Sequence, residues 1–106
     1  MKENKTISYE IIGAALLSIS NITRVDIIRY LQRYSKASFK ELRTEFNLNN
    51  NTLRFHLRKL QDAYIVSQPK KRGYYMLGEL GEVILRTRED LEHKCLPILK
   101  KIIEDQ

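Results

Sequence analysis

Mainly α-helical with a small β-hairpin, and with long helices at both ends, is the fold class that three observations predict. Apolar residues recur at helical spacing along most of the chain. Two short β-prone runs, Ile65 to Gln68 and Tyr74 to Leu77, flank the turn-forming Pro69-Lys70-Lys71-Arg72-Gly73. Just before them, a short capped helix, a tight turn and a second capped helix follow without a linker. With 106 residues, the chain has the length of one domain, so residues 1–106 are read as a single unit.

The elements follow in order. Met1 to Thr6 is polar and expected to fray. A first helix is expected over residues 7–19, with Ile7, Ile11, Ile12, Ala15, Leu16 and Ile19 on one stripe. Ser20-Asn21 stops it. A second helix runs from Thr23, read as its N-cap, to Tyr34 and buries Ile27, Ile28 and Leu31. Ser38-Phe39-Lys40-Glu41 is a capping box that opens a third helix with Phe39, Leu42 and Phe46 inward. Asn47 tolerates the left-handed turn that follows. Asn49 caps a fourth helix over residues 50–62, carrying Leu53, Leu57 and Leu60. The hairpin's tip, residues 68–74, is basic, with Gly73 suited to the turn. A last helix is expected over residues 81–104. Ile84, Leu91, Cys95, Ile98 and Ile102 form its stripe, with Leu96, Leu99 and Ile103 widening it; Pro97 is expected to kink or interrupt it.

Charge is distributed unevenly. Lys36 to Tyr75 holds nine Lys or Arg against three Asp or Glu, an excess of six; the remaining residues carry ten of each sign. The whole net charge of +6 therefore sits in the middle of the chain. A basic middle between flanks whose charges sum to zero points to a face built for a polyanion. On the fourth helix, Asn50, Asn51, Thr52, Arg54, Phe55, Arg58 and Lys59 lie opposite the leucine side. Asn can bond adenine and Arg guanine in bidentate fashion from a helix in the major groove. Lys70, Lys71 and Arg72 at the hairpin tip can reach flanking phosphates or the minor groove. Phe55 either meets a thymine methyl or folds back into the core. His56 is read as packing at the junction of the two helices. The tyrosines Tyr30, Tyr34, Tyr64, Tyr74 and Tyr75 are read as core or hairpin packing.

This element order is the winged helix-turn-helix plan, with residues 23–77 as DNA-binding core and wing. Residues Phe39 to Leu60, then Ile65 to Gly81, resemble the ArsR-type and MarR-type repressors. Leu42, Phe46, Leu48, Leu53, His56-Leu57 and Leu60, then Tyr75-x-Leu77 and Gly81, carry that resemblance. It implies a cytoplasmic, ArsR-like transcription regulator, with residues 50–62 as recognition helix and residues 81–104 as dimerisation helix. Three departures stand out. Arg43 occupies a position where such motifs place a small residue, Tyr64 stands for a glycine, and no paired-cysteine metal motif is present. The last argues against a metal sensor.

Other function classes fare worse. The chain shows no nucleophile-His-Asp order, no phosphate loop and no carboxylate–histidine cluster, so an enzyme is not expected. His93 and Cys95, two apart on a helix, point apart; neither a metal nor a cofactor is expected. No apolar run is long enough to span a bilayer, and the flanks of Ile11 to Leu17 do not read as a signal peptide. One cysteine allows no internal disulfide, which places the chain in a reducing compartment. The expected partners are double-stranded DNA and a second copy, with Ile11, Leu91, Cys95, Ile98 and Ile102 at the dimer interface. No effector is legible. The alternatives are a winged helix used for protein contacts within a larger assembly, and a nonspecific chromosomal DNA or RNA binder.

Overall fold

The computed structural model describes residues 2–106, with side chains from Tyr9 onward. The element order is α1 (Lys2–Ser18), α2 (Ile22–Tyr34), β1 (Lys36–Ala37), α3 (Phe39–Phe46), α4 (Asn50–Asp62), β2 (Val66–Ser67), β3 (Tyr75–Leu77) and α5 (Glu79–Glu104). The strands form one antiparallel sheet in the order β1-β3-β2. Val66 pairs with Leu77, closing the wing hairpin, and Ala37 pairs with Tyr75. This is a winged helix-turn-helix, mainly helical with one small sheet.

Local chemistry explains most element boundaries. The α2 cap is Asn21, not Thr23: the Asn21 side chain accepts from the Arg24 N–H at 3.1 Å. Ser38 caps α3, accepting from the Glu41 N–H at 3.0 Å, and Asn49 caps α4, accepting from the Thr52 N–H at 2.8 Å. Both helices close in the same way. After α3, Asn47 is left-handed (φ 50°) and the Leu48 N–H reaches back to the Arg43 carbonyl. After α4, Tyr64 is left-handed (φ 61°) and the Ile65 N–H reaches the Leu60 carbonyl. This six-to-one bond is the Schellman closure. The tyrosine in place of a glycine therefore keeps the turn and carries the strain of a side chain in that region.

Several expectations are corrected. The first helix begins at Lys2 and ends at Ser18, so residues 2–6 are helical rather than frayed; Met1 and the side chain of Ile7 lie outside the described residues. At the wing tip the left-handed residue is Arg72 (φ 62°), not Gly73. Gly73 is needed for space: an added Cβ would lie 2.9 Å from the Lys70 carbonyl oxygen, which already accepts the Gly73 N–H. The strands are shorter than the β-prone runs, and the sheet gains a third member, β1. The last helix starts at Glu79 and runs through Pro97 as one 26-residue element, about 39 Å long. Proline removes one backbone bond, but the turn around it is exposed, where water can replace that bond.

One core holds these elements. Leu31 and Val25 from α2, Leu42 from α3, Leu53, Leu57 and Leu60 from α4, Ile65 before the wing, and Leu85 from α5 are all fully buried. α1 joins through Ala15, with Ile19 just after it, and meets α2 at 98°. Gly81 lets α5 press against the wing, since a Cβ there would come within 2.5 Å of the Ile65 carbonyl oxygen. Beyond Leu85, α5 has no fully buried residue; among the described residues the Arg29–Glu89 ion pair at 3.6 Å ties it to α2.

Candidate nucleic-acid interface

α4 is fixed by its apolar side. Leu53, Leu57 and Leu60 point into the core, and His56 is buried beside them. Because a helix repeats every 3.6 residues, this fixes the opposite face. Asn50, Asn51, Arg54, Phe55, Arg58 and Lys59 are exposed on it, and Thr52 is half-buried. Phe55 does not fold back: it is 54% exposed, its ring edge-on to His56 at 5.7 Å, with the Lys59 ammonium 5.5 Å from its centre.

The face is partly pre-organised. The Arg54 guanidinium lies 5.3 Å over the Phe39 ring, which anchors its stem to α3. Burial pushes the Tyr75 phenol up, and the positive charge of Arg54 opposes that rise, so Arg54 also stands close to β3. Arg43 donates to the Asn50 side-chain oxygen at 3.0 Å. The arginine at the helix crossing thus bridges α3 to the start of α4, and it occupies one of the two acceptor positions of the Asn50 side-chain oxygen. Asn51 makes no such bond, so both its donor and acceptor stay available among the described residues.

His56 links α4 to the start of α2. Its Nδ1 lies 3.2 Å from Arg24 Nη1, and Arg24 Nε donates to the Ser18 carbonyl at 2.6 Å. Burial, helped by the Arg24 charge, holds the imidazole below its ordinary pKa. His56 is therefore neutral at pH 7 and acts as an acceptor, as the packing reading requires.

The wing brings the second basic group. Lys70, Lys71 and Arg72 are all exposed at its tip. Gln68 Nε2 donates to the Gly73 carbonyl at 2.9 Å and ties the tip shut. Two neighbours were not singled out from the sequence as candidates. Lys36 of β1 places its ammonium 4.7 Å over the exposed Tyr74 ring, beside Lys70. Their alignment depends on β1 pairing with β3, a contact between residues about forty apart. Tyr64, read as packing, is instead exposed, whereas Tyr75 is buried and Tyr30 half-buried against Phe46.

The expected dimer residues lie elsewhere. Leu91, Cys95, Ile98 and Ile102 are exposed along α5, and Ile11 is half-buried on α1. Among the described residues no group of three or more His, Cys, Asp or Glu could hold a metal ion, and no single helix is long and apolar enough to cross a membrane.

A family model described as a helix-turn-helix domain matches residues 19–68, just under half of the chain, from the end of α1 into the wing. The match takes in the caps at Ser38 and Asn49, the turn at Asn47 and all of α4. It supports DNA binding, in a family that is generally non-enzymatic. No curated protein and no solved structure matches the chain.

Proposed function

We propose that the chain is a transcriptional regulator of the ArsR/MarR kind that binds specific double-stranded DNA as a homodimer. The observation that carries this reading is the exposed face of α4: Asn51, Arg54, Phe55 and Arg58 are exposed beside a basic wing, while the leucines behind them are fixed in the core. α4 enters the major groove, with Asn51 and Arg54 at base edges. Lys70, Lys71 and Arg72 meet phosphate or the minor groove. The dimer reading rests on the apolar row of α5 and the exposed Ile12, Leu16 and Leu17 of α1, which a single chain leaves in water. A two-fold axis through these helices would set two copies of α4 about 34 Å apart, one turn of DNA.

Selection of bound sequences from random duplex DNA tests both parts. An enriched palindrome with half-sites one turn apart supports them. Binding without enrichment overturns specificity, and an enriched single half-site overturns the dimer.

A further inference from the structure

α4 opens on two adjacent asparagines that the structure treats differently. Asn50 and Asn51 are both exposed at the N-terminal end of this helix, the end that reaches base edges when such a helix lies in a major groove. Asn51 makes no side-chain hydrogen bond among the described residues, whereas the Asn50 oxygen accepts from Arg43 Nη1 at 3.0 Å, across the turn from α3. A guanidinium only donates, so the direction of this bond is forced. Arg43 faces the carboxamide oxygen, and the NH2 group at the other corner of the planar amide is left for another partner.

Helix stability gives no reason for a cation at this place. The first turn of α4 holds no acidic residue, and a positive charge beside a helix N-terminus has the unfavourable sign. Arg43 forms no ion pair with a carboxylate among the described residues. Its charge instead alters what the neighbouring amide recognises. In the major groove adenine shows an acceptor, N7, and a donor, the N6 amino group; guanine shows two acceptors, N7 and O6. An asparagine with both its donor and its acceptor available matches adenine. At Asn50 one of the two acceptor positions of the oxygen is taken, and a donor approaching the other meets the guanidinium charge. The Asn50 NH2 group and the remaining N–H groups of Arg43 are donors only.

We propose that Arg43 determines specificity: with Asn50 it forms a donor-only edge that selects guanine, while Asn51 reads adenine. Arg43 acts here on the DNA-reading face proposed above, and its role rests on that reading.

Selection of bound sequences from random duplex DNA with the full chain, followed by titration of duplexes that differ at one position, tests this role. The position is the one where Asn50→Ala loses its preference, and the parent should enrich guanine there. Arg43→Met keeps the stem and removes the donors. It should switch that position to adenine, moving the ratio of affinities for guanine and adenine duplexes by at least about fivefold. Arg43→Lys keeps a donor-only cation and should retain guanine. Adding Asn50→Ala to Arg43→Met should abolish the adenine preference. A merely structural Arg43 would weaken both duplexes alike and leave their ratio unchanged. Arg43→Gln is the second variant should Arg43→Met unfold, and it should lose the guanine preference too. An enriched site with the same base preferences in the parent and in folded Arg43→Met or Arg43→Gln would overturn the role of Arg43 and leave the DNA reading standing. A parent that enriches no sequence would overturn both.

Discussion

α4 and the outer part of α5 are both helices with one face in water, and they expose opposite chemistry. α4 buries a leucine row and shows water Asn, Arg and Lys. Past Leu85, α5 has no fully buried residue and shows water Leu91, Leu96, Ile98, Leu99, Ile102 and Ile103. The first arrangement is complete within one chain. The second is not, because continuous apolar surface of this kind is left exposed only where something else covers it. One chain thus carries a finished polar surface suited to a polyanion and an unfinished apolar surface, the one the proposed dimer would cover. The charge excess of the middle segment follows the same division: the two ends together carry no net charge.

The largest expected effect lies on the unfinished side. Ile98→Glu with Ile102→Glu puts two carboxylates into the proposed interface, at a cost of about 3–5 kcal/mol for each uncompensated charge. Sedimentation equilibrium at micromolar concentration should then give single chains with native circular dichroism, and DNA affinity should drop although neither residue touches DNA. Single chains already in the parent protein would remove the dimer. Next comes Leu57→Ala on α4, which empties part of a sealed core and should cost about 2–5 kcal/mol in chemical denaturation. That loss should not depend on protein concentration. Leu96→Ala on α5, 60% exposed in one chain, should cost stability only in proportion to dimer population. Equal, concentration-independent losses at both positions would erase the distinction between the two helices.

Within the polar side a finer division is expected. Arg54→Ala or Asn51→Ala should weaken the selected site by about 1–3 kcal/mol and relax preference at one base position. Neutralising Lys70, Lys71 and Arg72 together should weaken all duplexes alike and flatten the slope of log affinity against log salt by up to about three units. If the α4 variants lose affinity uniformly, or the wing variant loses it at one sequence only, the assignment of base contacts to α4 and phosphate contacts to the wing is reversed.

The helix-turn-helix was legible because its instructions are local. Ser38, Asn47 and Asn49 each act within four residues, and each does in the structure what its side chain predicts. Non-local features were not legible. β1 is two residues long, and nothing near Lys36-Ala37 announces a strand; it exists because Tyr75 and Met76 arrive opposite it. Pro97 misled for the converse reason. A local rule predicts a break, but the exposed turn tolerates a missing hydrogen bond. Of the candidate site, the exposed face of α4 followed directly from its leucine spacing. The Arg43–Asn50 bridge, the Arg24–His56 contact and the Lys36–Tyr74 stack did not, since each joins elements whose relative placement only the assembled core decides.

The smallest expected effect compares the two helix closures. Asn47 and Tyr64 occupy the same left-handed position, and Asn adopts it more readily than a residue with a large side chain. Tyr64 gains little in return: its side chain is 65% exposed. Tyr64→Gly should therefore relieve strain while giving up little burial. Glycine also loosens the unfolded chain, which offsets part of that gain. The net should be a stabilisation of about 0.5–1 kcal/mol, read as a rise of a few degrees in Tm for a domain of this size. The corresponding Asn47→Ala, which places an ordinary side chain at a left-handed position, should shift Tm downward by a similar amount. If Tyr64→Gly lowers Tm instead, the exposed ring makes a contact that one chain does not contain. The proposed dimer or bound DNA would then be the place to find it, and repeating the melt across protein concentrations and with the selected duplex would separate the two.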